Sequence, residues 1–191
     1  RNKFLGQGIS PGRIKPIQRN IDTILNIPNP NSLKQLRSLL GKFNYYAKFV
    51  ENHAAIIAPL SELTKGHSED SKNVPITLTP KALEAKDHEE NVDLDPVLGF
   101  SDFYSGELLI VATDGSFVGL AYVISQVQGG KERILGYGSR KLSQAETKYH
   151  INKLELLSVV TCLEKNKFLL YPKEFILRVD NKSLCYMKNL S

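Results

Sequence analysis

The sequence contains no tryptophan, one methionine and two cysteines. Cys162 and Cys185 stand alone, with no CxxC pair and no histidine partner at metal-ligand spacing. This pattern argues against a disulfide framework and against a zinc ribbon, because both need several cysteines at short, regular spacings. We expect both cysteines to be ordinary reduced thiols.

Long apolar runs are also missing from the chain. No stretch approaches the roughly 18 uninterrupted apolar residues of a membrane span, and no basic start leads into an apolar signal core. With 41% hydrophobic and 24% charged residues, the 191-residue chain can bury one or two cores. We therefore expect a soluble, intracellular globular protein without a membrane partner. Neither Arg1 nor Ser191 looks like a natural end, so we expect a fragment.

The net charge of +5 is spread unevenly along the chain. Residues 1–66 carry ten Lys/Arg against three Asp/Glu, residues 67–100 carry three against eight, and residues 101–191 carry twelve against nine. A basic amino-terminal block suits a polyanionic partner such as a nucleic acid. A solvated basic face without a ligand is the ordinary alternative, and charge alone does not decide between them.

The first block is predicted to be mainly helical after a short hairpin. Residues 3–15 alternate apolar and polar positions around glycines and a proline, which indicates two small strands. Pro16 is expected to begin a helix, and Ser32 is expected to cap the next one. Apolar residues then recur at helical spacing in two stripes, Leu36, Leu39, Leu40, Phe43 and Tyr46 (or Ala47) followed by Ile56, Ile57, Leu60 and Leu63.

The second and third blocks differ sharply in pattern. Residues 67–100 are acidic and hold apolar residues too sparsely to anchor a core, so we expect a linker with one short helix. Residues 101–191 change to strand patterns. They predict an antiparallel meander of strands 107–113, 119–127 and 132–137, then a helix over 145–163, a strand over 174–180 and a last helix from about Lys182.

Three acids stand where a metal-dependent nuclease would need them. Asp114 ends one apolar strand, and Asp180 ends another. Glu155 lies within an apolar helix run, where an acid is costly unless it is paired, solvated or bound to a cation. Each acid has an ordinary alternative, as a turn former or a solvated charge. Their joint occurrence in the order strand, strand, strand, helix, strand favours one shared site.

Such a site fits phosphodiester hydrolysis. This reaction needs an attacking water made more acidic and a leaving oxygen whose charge is stabilised, and two Mg²⁺ ions about 4 Å apart supply both. Mg²⁺ takes hard oxygen ligands and keeps several waters, so three or four converging carboxylates suffice. We expect two Mg²⁺ ions, for which Mn²⁺ can substitute, on Asp114, Glu155 and Asp180.

Short motifs along almost the whole chain resemble the reverse transcriptases of gypsy-type LTR retrotransposons and the related caulimoviruses. The stretches that carry the resemblance are FLG at 4–6, GRIKP at 12–16, LRSLLG at 36–41, NYYAKFV at 44–50, DPVL at 95–98, TDGS at 113–116, YGSRKL at 137–142, ELLSVV at 155–160 and RVDNKSL at 178–184. A single short motif of this kind carries little weight, but nine in the family order are specific.

The resemblance implies an α+β fold: a small hairpin and helical thumb, then an RNase H-like mixed sheet with flanking helices, truncated at the carboxyl terminus. It divides the chain into the end of the palm and the thumb (1–66), a linker or connection (67–100) and an incomplete RNase H-like domain (101–191). It also places the family's catalytic and metal-binding acids on Asp114, Glu155 and Asp180. The nucleic-acid contacts that we expect are Lys42, Tyr45, Lys48, Ser116, Arg140 and Asn181.

The implied function is Mg²⁺-dependent cleavage of the RNA strand in RNA·DNA hybrids, while the thumb grips the template-primer duplex. The expected partners are hybrid and other duplex nucleic acids and the remainder of the polyprotein, in a cytoplasmic particle or the nucleus. The sequence contains no YxDD-like polymerase motif, and it ends before the last strand, last helix and fourth acid of the family's nuclease. The alternative is therefore a decayed or domesticated copy that binds nucleic acid without cutting it.

Overall fold

Two four-stranded sheets and a group of helices form the part of the chain that the computed structural model describes. The described residues are 2–4, 7–17, 22, 24, 26–68, 71, 73–91, 98–171 and 174–180. The predicted helix after Pro16 falls largely outside them, as does the predicted last helix from Lys182.

The first sheet is small and antiparallel, and its strands are β1 (Asn2–Phe4), β2 (Gln7–Ser10), β3 (Arg13–Pro16) and β4 (Leu98–Gly99). Strands β2 and β3 form the predicted hairpin, and Gly12 adopts a φ of 71° in its turn. The sequence predicts two strands here, whereas the described sheet has four. Strand β4 arrives from far along the chain, and local alternation cannot show such a pairing.

The helices that follow bury the predicted apolar stripes, and they are α1 (Leu33–Tyr46), a 3₁₀ turn (Ala47–Phe49), α2 (His53–Ile56) and α3 (Ala58–Glu62). Ser32 precedes α1 as predicted, but its side chain makes no capping hydrogen bond. Instead, the Gln35 side chain accepts from the backbone N–H of Asn31 at 2.9 Å. Ser32 pairs through its backbone with Pro75.

The segment predicted to be a linker contains the expected short helix, α4 (Pro80–Asn91). The expectation that its apolar residues cannot anchor a core is wrong, because Ala82 and Ala85 are buried among the helices α1 to α3. Val74, Ile76 and Leu78 pack against the same core. The helices α1 to α4 are called the helical block below.

The second sheet contains β5 (Leu109–Gly115), β6 (Gly119–Gln128), β7 (Lys131–Lys141) and β8 (Phe175–Val179) in the order β7-β6-β5-β8. The first three form the predicted antiparallel meander, with Gly129 and Gly130 in the second turn at positive φ. Strand β8 joins β5 in parallel. The predicted mixed sheet is confirmed.

One face of the second sheet is covered by α5 (Ile151–Lys165) and the short helix α6 (Lys167–Leu170). The sequence predicts that this helix begins at Ala145, but residues 146–148 form a separate 3₁₀ turn. The carboxylate of Glu146 explains the difference, because it accepts from Arg140 and from the backbone N–H of Ser143, which holds the turn apart. Helix α5 begins after His150, whose ring accepts from the N–H of Asn152.

The helical block packs against strand β7 of the second sheet. The backbone N–H of Ala54 donates to the Ser139 hydroxyl at 2.9 Å, and Lys141 forms an ion pair with Glu62. A cavity of about 510 Å³ lies between the helical block and the second sheet. Glu51 and Asn52 line it on one side, and residues of β5, β6 and β8 line it on the other. No helix in the described part of the chain has the length and apolar character to cross a membrane.

Candidate active site and nucleic-acid interface

Asp114 and Asp180 lie at neighbouring positions on one edge of the second sheet. Strands β5 and β8 run parallel, and Thr113 pairs with Val179. The next residue on each strand is an aspartate, so the two carboxylates emerge side by side where both strands end. Both side chains are exposed, and both line the cavity against the helical block.

Glu155 reaches this edge from helix α5 because position 115 has no side chain. A Cβ on Gly115 would overlap the backbone of Leu154 and Glu155. The glycine therefore lets the helix lie directly on the strand end that carries Asp114. The backbone N–H of Gly115 also donates a hydrogen bond to the Glu155 carboxylate, which fixes one of its oxygens.

The electrostatics of Glu155 reflect its burial and the two nearby aspartates. Burial raises the pKa of Glu155, the nearby charges of Asp114 and Asp180 raise it further, and the Gly115 hydrogen bond partly opposes them. The residue is only 9% exposed, and its Oε2 is buried without a hydrogen-bond partner among the residues that the structure describes. A buried, unpartnered carboxylate oxygen is costly and calls for a cation or a proton.

The donor chemistry of this edge fits a hard divalent cation, because all three candidate ligands are carboxylates. Glu155 Oε2 supplies an oxygen that no group in the described part of the chain uses. Within the described ranges, however, no group of three or more His, Cys, Asp or Glu side chains lies close enough together to form a ready metal site. RNase H-like domains in general use divalent metal ions for their chemistry.

Two of the residues predicted to contact nucleic acid are exposed on helix α1. Lys42 is exposed on this helix. Tyr45 is 44% exposed and packs edge to face on Tyr46 with ring centroids 4.8 Å apart. Both side chains can reach a ligand on this side of the helical block.

Three others already have intramolecular partners. Lys48 is half-buried and donates to the Gln7 side chain at 3.0 Å, and burial lowers its pKa. The Ser116 hydroxyl closes the turn between β5 and β6. Arg140 donates to both carboxylate oxygens of Glu146 at 2.7 and 2.9 Å, and this pairing raises its pKa. Asn181 lies outside the described residues.

The structure adds two features that the sequence analysis missed. Gly115 determines how closely Glu155 approaches Asp114, and the only sequence signal is a glycine directly after a strand-ending aspartate. Phe117 and Val118 stand at the tip of the turn beside these acids and are 66% and 62% exposed. Their signal is a pair of apolar residues in a turn, where polar residues are usual.

Comparison with known proteins identifies the family of the domain that contains the second sheet. The family of RNase H-like domains found in reverse transcriptase matches residues 105–191. The retrovirus-related Pol polyprotein from transposon opus of Drosophila melanogaster is 32% identical over 175 residues, covering 88% of this chain and 17% of the polyprotein. The transposon Tf2-3 polyprotein of Schizosaccharomyces pombe is 32% identical over 164 residues, covering 85% of this chain and 12% of that one. This chain thus spans under a fifth of these relatives.

Solved structures show the same fold at lower sequence identity. The foamy viral protease-reverse transcriptase in complex with dsDNA superposes with a TM-score of 0.77 at 22% identity, covering 98% of this chain and 38% of that one. The same viral protein in complex with RNA/DNA hybrid gives a TM-score of 0.75 at 23% identity, covering 98% and 25%. The predicted α+β fold is confirmed. Residues 105–191 of this chain therefore belong to the family of RNase H-like domains found in reverse transcriptase, and most of its length is similar to retrotransposon polyproteins.

Proposed function

We propose that the chain is the thumb and RNase H part of a gypsy-type LTR retroelement reverse transcriptase, and that it cleaves the RNA strand of RNA·DNA hybrids. One observation carries the proposal. Asp114 and Asp180 end adjacent parallel strands, and the Glu155 carboxylate, whose Oε2 has no partner among the described residues, lies within range of the charge of both. This arrangement disfavours the simultaneous ionisation of all three acids, and a bound cation would relieve their repulsion.

Each of the three acids has a distinct part in this proposal. Asp114 and Asp180 offer exposed oxygens on the side where a substrate phosphate can approach. Glu155 offers a buried oxygen behind them and is held in place by the Gly115 N–H. Two Mg²⁺ ions, or Mn²⁺ in their place, would acidify the attacking water and stabilise the leaving oxygen when bound.

The substrate class follows from the helical block together with the acids. Helices α1 to α3 of the block lie in residues 1–66, which carry a net charge of +7, and α1 exposes Lys42 and Tyr45. A duplex backbone is the matching partner, and a site of this kind reads shape and the 2′-hydroxyl rather than sequence. The foamy viral neighbour was solved with RNA/DNA hybrid, which agrees with this choice. The remainder of the polyprotein is a second partner, and the setting is a cytoplasmic particle or the nucleus.

We keep the functional division into residues 1–66, 67–100 and 101–191. Helix α4 of the middle segment packs on the core of the first, so the two act together in gripping the duplex. Residues 101–191 hold all three acids.

The substitution Asp114→Asn tests the proposal, because it removes one charge at nearly constant volume. Mg²⁺ or Mn²⁺ should raise the melting temperature of the wild-type protein, since a ligand that binds only the native state stabilises it. The rise should be much smaller for Asp114→Asn. The variant should also lose cleavage of the RNA strand of a labelled hybrid and keep hybrid binding. Glu107→Gln, at an exposed carboxylate of the same domain, serves as the matched control.

Cleavage by Asp114→Asn at the wild-type rate would show that this site is not the nuclease. A second candidate function, hybrid binding without cleavage, is favoured by one observation, the absence of a ready three-ligand metal cluster in the described residues. It predicts that wild type and variant bind hybrid equally, that neither cuts, and that metal leaves both melting temperatures unchanged.

A further inference from the structure

The turn between β5 and β6 exposes two apolar side chains beside the candidate active site. Phe117 is 66% exposed and Val118 is 62% exposed. A single exposed apolar residue needs no explanation, but an aromatic and a β-branched residue together at a turn tip run against ordinary turn chemistry. Their exposure costs free energy in water, which contact with a ligand would recover.

This turn is held in one conformation by Ser116. Its hydroxyl donates to the Gly119 carbonyl at 3.1 Å and accepts from the backbone N–H groups of Val118 and Gly119 at 3.3 Å each. The Ser116 N–H also donates to the Gly119 carbonyl at 3.0 Å. The two apolar side chains therefore project from a fixed turn, and little conformational entropy is lost when they are buried by a ligand.

The position of the turn links it to the acids. The turn starts after Gly115, the residue packed on the backbone of Leu154 and Glu155, and Phe117 follows Asp114 by three positions. A duplex whose phosphate lies at Asp114 must pass close to this tip. Neither side chain carries a charge, so their targets on a duplex are sugars and base edges rather than phosphates.

We propose that Phe117, supported by Val118, is a positioning residue that packs against the sugars and base edges of the minor groove of the bound RNA·DNA hybrid. The inference rests on the proposed function, because it assumes that the hybrid is the ligand of the acid site. The minor groove of an A-like duplex is wide and shallow and exposes the riboses, which suits an apolar contact from a turn. Lys42 and the other cations hold the backbone, while Phe117 sets where along the hybrid the acids lie.

The absence of tryptophan from the sequence provides a direct test. Phe117→Trp introduces a single fluorescent reporter, and Phe168→Trp is the matched control, because Phe168 is 87% exposed on α6. Addition of an RNA·DNA hybrid should quench and shift the emission at position 117 and leave that at position 168 unchanged. Equal responses at both positions, or none at either while hybrid binding is measured independently, would overturn the proposal.

Truncation of the side chain separates this contact from charge. Phe117→Ala should weaken hybrid binding roughly tenfold, the lower range for loss of one aromatic contact to a nucleic acid. The dependence of affinity on salt should stay as in the wild type, because no phosphate contact is removed. Where cleavage is measurable, KM should rise more than kcat falls, and Phe117→Tyr should restore binding. Phe168→Ala should bind as the wild type does.

These experiments distinguish a failure of the Phe117 contact from a failure of the proposed nuclease function. If Asp114→Asn neither loses cleavage nor changes the metal response, but Phe117→Ala still weakens hybrid binding, the nuclease proposal fails and the contact stands. If Asp114→Asn behaves as expected and Phe117→Ala binds hybrid like the wild type, the contact is wrong. In that case the exposed tip serves a partner other than the hybrid.

Discussion

Glu155 shows how one residue connects fold and chemistry. It lies in a helix that packs on the sheet, so its carboxylate is desolvated, and the strand ends place Asp114 and Asp180 close enough to raise its pKa further. One of its oxygens accepts from Gly115, and the other has no partner. Such a side chain destabilises the fold when it is ionised, which indicates that Glu155 serves chemistry rather than stability.

This reasoning predicts the effect of Glu155→Gln on stability. The pKa of Glu155 is raised above its ordinary value of 4.5, so the unfolded state loses this proton at lower pH than the folded state does. Any stability from the protonated acid is present below pH 4.5 and is lost as pH rises through the folded pKa. Without divalent metal, Glu155→Gln should therefore unfold at a higher temperature than the wild type at pH 7, and the gap should shrink towards pH 4.

Thermal unfolding from pH 4 to 8 measures this difference. Glu164→Gln, at an exposed position of the same helix, is the control and should follow the wild type throughout. A Glu155→Gln protein that is less stable than the wild type at pH 7, or whose difference does not vary with pH, would contradict the electrostatic account.

Gly115 is a second residue whose effect can be measured. In Gly115→Ala the new Cβ would overlap the Leu154 and Glu155 backbone, so α5 must move away from β5. We expect a loss of about 1–3 kcal/mol, the usual cost of overpacking, together with a weaker stabilisation by Mg²⁺ because Glu155 is displaced. The control is Gly136→Ala, where a Cβ meets nothing within 4 Å. Denaturant unfolding should separate the two, and equal stabilities would refute this role for Gly115.

Tyr122 is a large side chain in the middle of β6, and its neighbour on the adjacent strand explains how the fold accepts it. The phenol ring lies over Gly138 on the adjacent strand, where any Cβ would overlap it. The side chain also hydrogen-bonds to Asn166, while burial raises its pKa. The sequence alone could not connect residues 122 and 138, because their pairing depends on the register of β6 and β7.

At the scale of elements, the strands of the second sheet follow their sequence pattern closely. Apolar runs and a Gly-Gly turn are local signals, and they predict β5, β6 and β7 within a few residues of their observed ends. The parallel pairing of β8 with β5 was not part of the pattern, because no local signal reports a partner 60 residues away. The positions of Asp114 and Asp180 were predictable from the strand ends. The close packing of Glu155 on Gly115 was not predictable from the sequence.

The acidic segment shows why a low apolar content misled the prediction. Val74, Ile76 and Leu78 alternate with Pro75 and Thr77. The backbone around them pairs with residues 31–33, because Leu33 donates to the Val74 carbonyl at 2.9 Å and Ile76 donates to the Asn31 carbonyl at 3.1 Å. Three alternating apolar residues are a strand-like signal that overall composition obscures. In α4 the buried apolar positions are alanines, which allow close helix packing but add little to a hydrophobicity count.

Helix α4 is also tied to the core by a buried polar pair. His53 Nδ1 lies 2.8 Å from Glu89 Oε1, and Nε2 of the same ring lies 3.0 Å from Asn44 Oδ1. The side chains of His53 and Glu89 are 5% and 3% exposed. The pair joins α2 to a segment whose acidity suggested a solvated linker.

Removal of one partner should therefore destabilise the whole helical block. Glu89→Ala leaves a buried imidazole without its carboxylate, which costs about 3 kcal/mol or more. Glu84→Ala removes an exposed acid from the same helix and should leave the free energy of unfolding nearly unchanged. Denaturant unfolding of both variants decides the point, and equal stability would mean that α4 is not anchored through Glu89.

At the scale of the whole molecule, the helical block and the second sheet meet directly. Ala54 and Glu62 of the block contact Ser139 and Lys141 of β7, and the pairing with Lys141 and Lys65 lowers the pKa of Glu62 to about 2. The cavity between the two parts opens onto Asp114 and Asp180. Under the proposed function, this packing would keep a duplex on the block in a fixed relation to the acids.

The basic charge of residues 1–66 should appear in the salt dependence of duplex binding, and the structure distinguishes two lysines of this segment that the sequence treats alike. Lys42 is exposed, whereas Lys48 is half-buried and bound to Gln7. Each phosphate contact that is lost changes the slope of log affinity against log salt by roughly one unit. Lys42→Ala should reduce the slope by about this amount, and Lys48→Ala should change it less while lowering stability. Titrations at several salt concentrations, with Lys131→Ala in the distant β6–β7 turn as control, measure both slopes. A Lys42→Ala slope equal to that of the wild type would remove Lys42 from the duplex interface.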